Sequence, residues 1–190
     1  MIRAFVAIRP PAPACDLLED MGHDLDCGTP VRHENLHLTL AFLGVQDRHV
    51  LEDVATELDA LRVDAPMIAC RGAGSFGRRR IRSAHALLEG DGALTALAAA
   101  VRRAAERGGV APERRRFAPH VTVARFSANA PAAPDDLARW GALHADFRTM
   151  PAVARCFSLY RSDLTRAGPV YAEAMRYEFQ PRRDAAAAPD

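Results

Sequence analysis

A His-x-Thr tripeptide occurs twice in this chain, each time inside a run of alternating apolar residues. The first copy lies in Leu36-His37-Leu38-Thr39-Leu40 and the second in His120-Val121-Thr122-Val123. Alternation with a period of two is the mark of a half-buried β-strand. On a strand, residues i and i+2 point to one face, about 6.5 to 7 Å apart. Each motif therefore sets an imidazole beside a hydroxyl on one face, with Leu or Val buried behind. One such tripeptide is weak evidence; two in the same apolar setting are a pattern. Two strands around one cleft would supply two imidazoles and two hydroxyls, the equipment for acid–base chemistry on a phosphate.

The surrounding pattern repeats as well. Apolar periodicity predicts strands over 2–9, 36–43, 66–73, 80–88, 117–126, 153–161 and 170–179, and helices over 12–25, 48–62 and 92–108. Val50, Leu51, Val54, Leu58 and Leu61 form one stripe of the second helix, with Asp47 as candidate N-cap. Gly108 and Gly109 end the third. In the first motif strand Leu36, Leu38, Leu40 and Phe42 fall on one face, and His37, Thr39 and Ala41 on the other. Two similar halves imply an internal duplication. The expected architecture is α+β: two pseudo-two-fold-related lobes, each a β-sheet with flanking helices, around a central cleft. The chain reads as a single bilobed domain over 1–180 with a disordered tail over 181–190.

Composition narrows the partners. No run approaches the roughly 18 apolar residues of a membrane span, and no signal peptide is evident, so a cytoplasmic protein is expected. The four cysteines (Cys15, Cys27, Cys70, Cys156) form no CxxC pair and read as reduced thiols. Net charge is only +1, but it is segregated. Residues 71–125 hold 12 Arg against four acids, and the rest of the chain holds 13 Arg against 20 acids. The chain has no Lys, and Arg offers planar bidentate contact to phosphate. The segregation favours an anionic ligand.

The motifs and their flanks resemble the 2H phosphoesterases, and specifically the bacterial RNA 2′,3′-cyclic phosphodiesterases first described as 2′–5′ RNA ligases. The resemblance runs through residues 3–8, 34–44 (Glu-Asn-Leu-His-Leu-Thr-Leu-Ala-Phe-Leu-Gly), 72–76, 116–125 (Arg-Phe-Ala-Pro-His-Val-Thr-Val-Ala-Arg) and 162–171. It implies the bilobed 2H fold and metal-independent opening of RNA 2′,3′-cyclic phosphates to 2′-phosphates, with no cofactor. By resemblance, His37 is the general acid to the leaving 3′ oxygen and His120 the general base for water. Spacing alone allows the reverse. Thr39 and Thr122 would donate to the phosphate oxygens, and Arg125 resembles the family's phosphate-binding arginine. Many members carry a Trp where this chain has Val31-Arg32-His33, which bears on base preference rather than on the chemistry.

Phe5, Phe76, His33 and His85 are candidates for lining the cleft. His23, His49 and His144 read as solvated. Arg78–Arg80 and Arg114–Arg116 are solvated runs or, in the sharper reading, a track for an RNA backbone. Neither motif has a carboxylate or Cys beside its His, which disfavours a metal site. No Walker A sequence is present, so ATP-dependent ligation has no motif to rest on. The expected partner is an RNA or nucleotide with a 2′,3′-cyclic phosphate, met as a monomer. The rival readings are phosphodiesterase action on cyclic nucleotides or ADP-ribose cyclic phosphate, ATP-independent 2′–5′ ligation, and an RNA-binding module without turnover.

Overall fold

The computed structural model describes residues 1–76, 81–112, 116–127, 130–165 and 168–179. Arg78–Arg80, Arg114, Arg115 and the tail from 181 lie outside the described residues. In chain order the elements are β1 (Ile2–Ile8), α1 (Ala12–His23), β2 (Thr29–Pro30), a 3-10 turn (His33–Asn35), β3 (Leu38–Gln46), α2 (Arg48–Asp59), β4 (Met67–Phe76), β5 (Ser83–Gly90), α3 (Gly92–Arg107), β6 (His120–Arg125), α4 (Pro134–Leu143), β7 (Ala152–Val153), β8 (Cys156–Thr165) and β9 (Gly168–Glu178).

The strands build one antiparallel sheet in the order β7-β4-β5-β6-β3-β1-β8-β9, with β2 added beside β6. The two expected lobes are its two halves, joined edge to edge. The seam is thin. β3 and β6 share one paired position, Leu38 opposite Val121, both fully buried. On one side of it, β2 takes over the edge of β6, pairing Thr29 with Arg125 and Pro30 with Ala124. On the other side β3 and β6 diverge.

Crossed helices hold the seam. α1 follows a strand of the first half but packs on β6; α3 follows a strand of the second half but packs on β3. The α1 contact is close: a Cβ added at Gly22 would lie 2.5 Å from the Val123 carbonyl oxygen. Leu18 and Met21 of α1, Leu97 and Val101 of α3, and Leu38, Val121 and Val123 of the sheet form a continuous core. At about 25 cal/mol per Å² of apolar surface removed from water, this core is the main force holding the two halves together. Asp91 caps α3 by accepting from the Leu94 N–H at 3.2 Å. Asp47 sits at the N-cap of α2 without a side-chain cap bond.

Three readings change. β3 alternates as expected through Leu40, but Phe42 is 58% exposed while Ala41 and Leu43 are buried. Two register shifts in the β1–β3 ladder break the alternation and turn Phe42 outward. His144, expected in solvent, is buried against Trp140 and lies 3.2 Å from Asp24. β2 is not legible in the sequence, because two residues carry no periodicity. Among the described residues no helix is long and apolar enough to cross a membrane.

Candidate active site

The seam places the two motifs. With Leu38 opposite Val121 in antiparallel register, His37 stands beside Thr122 and Thr39 beside His120. The two buried residues point to the helices, so the four polar ones share the opposite, open face. A local two-fold axis through the Leu38–Val121 pair relates the motifs. Each histidine opens its strand: His37 immediately precedes β3, and His120 is the first residue of β6.

Both rings are anchored in the same way. His37 Nδ1 lies 2.6 Å from the Asn35 carbonyl oxygen, and His120 Nδ1 lies 2.8 Å from that of Ala118. A carbonyl only accepts, so each Nδ1 carries the proton and donates it. Each neutral ring therefore keeps an unshared pair on Nε2, the nitrogen a base needs.

The surroundings then differ. The His37 ring rests on Phe5, with centroids 4.7 Å apart, and Tyr171 of β9 meets it edge-on at 5.1 Å. Burial, and then the charges of Arg125 and His120, outweigh its bond to Asn35 and push its pKa down to about 4. The His120 ring packs edge-on against Phe76 at 4.8 Å and against His85 at 4.6 Å. Burial is again the main cause of a lowered pKa, with Arg125 adding to it.

A recess flanks each motif. Beside His37 a cavity of about 160 Å³ is lined by Asn35, Arg125, Tyr171 and the β8–β9 hairpin. Arg125 lies 3.4 Å from the Tyr171 hydroxyl, and Asn35 donates to the Pro169 carbonyl, tying the hairpin to the site. Beside His120, where β3 and β6 diverge, a recess of about 650 Å³ is lined by Phe42, Phe76, Phe117, Arg102, Arg116 and both Thr39 and His120.

His37, Thr39, His120, Thr122 and Arg125 thus meet at one place. Phe76 is 44% exposed at the mouth of the larger recess, whereas Phe5 is buried beneath His37. His85 is buried beneath His120. His33 turns away: its ring bonds Asp16 and Arg9 on the α1 side, and it lines neither recess. Tyr171, Asn35 and Phe42 line the site but were not singled out in the sequence. Tyr171 arrives from a hairpin more than 130 residues after His37; it ends the 162–171 stretch of the resemblance, but no periodicity or spacing ties it to the motif. Among the described residues no group of three or more His, Cys, Asp or Glu is placed to hold a metal ion.

This constellation has known relatives. Residues 10–161 match the 2′-5′ RNA ligase superfamily. The chain belongs to that family. An RNA 2′,3′-cyclic phosphodiesterase of Aeropyrum pernix is 33% identical over 145 residues, covering 74% of this chain and 80% of the relative. Among solved structures, the TT0787 protein of Thermus thermophilus superposes with a TM-score of 0.77 at 26% identity, covering 95% of this chain and all of that one. E. coli LigT, solved with 3′-AMP, gives 0.74 at 25%, covering 95% of this chain and 99% of that one. The two-histidine fold is the one the duplicated motif resembled.

Proposed function

We propose that this protein opens RNA 2′,3′-cyclic phosphate ends to 2′-phosphates, without a metal, by two-histidine acid–base catalysis. The observation that carries the reading is the antiparallel pairing of two His-x-Thr motifs on one open face, each imidazole held by its Nδ1–H so that the unshared pair lies on Nε2. Family membership and the name of the Aeropyrum relative support the substrate class.

In this mechanism His120 Nε2 takes a proton from water as the water oxygen bonds to phosphorus. The bond from phosphorus to the 3′ oxygen breaks, and His37, protonated at Nε2, gives its proton to that oxygen. Charge gathers on the two non-bridging oxygens, where Thr39 and Thr122 donate hydrogen bonds and Arg125 adds a charge-assisted one. The lowered pKa of His37 makes it a strong acid once charged, and the anionic phosphate supplies the field that charges it. Ligation would be the same ring opening with a ribose 5′ hydroxyl in place of water: His120 takes the hydroxyl proton, and the 3′ oxygen leaves with the proton of His37.

The test is a short RNA ending in a 2′,3′-cyclic phosphate, incubated in excess EDTA. The product phosphate is located by NMR. Opening to a 2′-phosphate is expected, with the rate falling about a hundred- to ten-thousand-fold in His37→Ala and in His120→Ala. Binding without turnover would move the protein to the RNA-binding reading. Activity abolished by EDTA and restored by a divalent cation would defeat the metal-free mechanism.

A further inference from the structure

His85 is 1% exposed, at the floor of the site. Its ring centroid lies 4.6 Å from that of His120 at 68°, and 4.3 Å from that of Phe76 at 50°. Neither of its nitrogens has a hydrogen-bond partner among the described residues. An unpaired buried polar atom is destabilising, and a phenyl ring would fill nearly the same space without that penalty. A residue that breaks the packing rule without local compensation belongs where function needs it.

The pseudo-two-fold axis sharpens the point. His85 on β5 faces Thr122, and its counterpart on β1, facing Thr39, is Ala7. Beneath His37 the packing ring is Phe5. An imidazole floor therefore occurs under one motif histidine only. We propose that His85 is a positioning residue for His120: it holds the His120 ring edge-on over the cleft and, as a neutral dipole, stabilises the imidazolium that His120 becomes on taking the proton from water. The proposal rests on the phosphodiesterase reading above.

The electrostatics agree. Among the described residues the charges that bear on the pair are cationic: Arg125 on β6 acts on both rings, and His37 beside β3 interacts with His120. Arg102 of α3 and Arg116 line the adjoining recess. Facing residues Thr39, Thr122 and Phe76 carry no charge. Burial first, then the charges of His120 and Arg125, hold the His85 pKa down to about 3. His85 therefore stays neutral while His120 is charged, and does not compete for the proton. An imidazolium whose nearest charges among the described residues are cationic gains from a neighbouring dipole that a phenyl ring lacks.

The experiment uses His85→Phe and His85→Gln in the full chain. The His120 imidazole is titrated by NMR, and kcat and KM are followed against pH on the cyclic-phosphate RNA. In His85→Phe the His120 pKa is expected to fall, and one limb of the kcat/KM profile to move down with it. The expected drop in kcat is about tenfold, with KM within about twofold, a fraction of what full acid–base catalysis contributes. His85→Gln, which keeps a dipole, should recover part of the loss. An unchanged His120 titration and unchanged kcat in His85→Phe would make His85 mere filling and overturn the proposal. If Phe does not fold, His85→Leu carries the same two readings. The titration needs no turnover, so an inactive wild type would sink the phosphodiesterase reading while the His85–His120 coupling was still read directly.

Discussion

The two halves of the site share a backbone and differ in what they pack against it. Each motif histidine opens a strand, donates Nδ1–H to the carbonyl two residues earlier, and sits beside the other motif's threonine. There the likeness stops. His37 is enclosed by Phe5 and Tyr171 next to a small recess that contains Arg125. His120 rests on an imidazole and a half-exposed phenyl ring next to a recess about four times larger. Duplication supplies two equivalent imidazoles; the packing around them differs, and in the proposed mechanism that difference goes with an acid role for His37 and a base role for His120. The lesson is that role assignment in a pseudo-symmetric site lives in the second layer of residues, where the symmetry is broken.

The largest expected effect tests that division directly. A 3′-deoxynucleoside 2′-(p-nitrophenyl phosphate) keeps the 2′ oxygen on phosphorus and puts in place of the 3′ oxygen a leaving group that departs as an anion and needs no proton. On this substrate His37→Ala should recover most of the hundred-fold or greater loss it shows on the cyclic phosphate, and His120→Ala should recover none. Release of p-nitrophenolate is the measurement. Equal recovery in both variants would erase the assigned difference, and recovery in His120→Ala alone would reverse it.

A smaller effect separates the recesses. Phe42 and Phe76, 58% and 44% exposed at the larger one, are placed to stack a nucleobase. Base–aromatic stacking is worth about 1–3 kcal/mol. Phe42→Ala should therefore raise KM for the RNA about tenfold and leave kcat within about twofold. A fall in kcat with KM unchanged would mean that Phe42 shapes the chemistry rather than holding the base.

The sequence carried one half of this comparison and not the other. Period-two alternation exposed both motifs, and their duplication exposed the two-fold plan, because both are written in consecutive residues. The asymmetry is not local. Tyr171 reaches His37 through a hairpin fixed by the Asn35–Pro169 bond, Phe42 reaches the cleft through shifts in the β1–β3 register, and β2 covers the seam with only two residues. His33 misled for the complementary reason: it lies close to the motif in sequence, but its ring is drawn to Asp16 and Arg9 on the α1 side.

The finest test is the pH dependence, where both halves move together before they separate. Both imidazoles are held below their ordinary value of 6.5, His37 to about 4 and His120 in the same direction, chiefly by burial. A two-group bell has its maximum midway between the two values, so kcat/KM, which reports the free enzyme, should peak below pH 6.5. Bound substrate brings a negative phosphate against both rings and favours their charged forms, so kcat should peak at a higher pH than kcat/KM. Stability acts on the same side and must be measured alongside. An imidazole whose pKa is lower folded than unfolded leaves the unfolded chain binding more protons between the two values. Stability is therefore retained above about pH 6.5, falls as the pH drops through the window toward 4 for His37 and 3 for His85, and levels off below. Thermal melts across that window set the lowest pH at which rates can be read. Above it, a kcat/KM maximum at or beyond pH 7 would mean that burial does not govern these rings in solution, and the contrast between the two floors would lose its electrostatic basis.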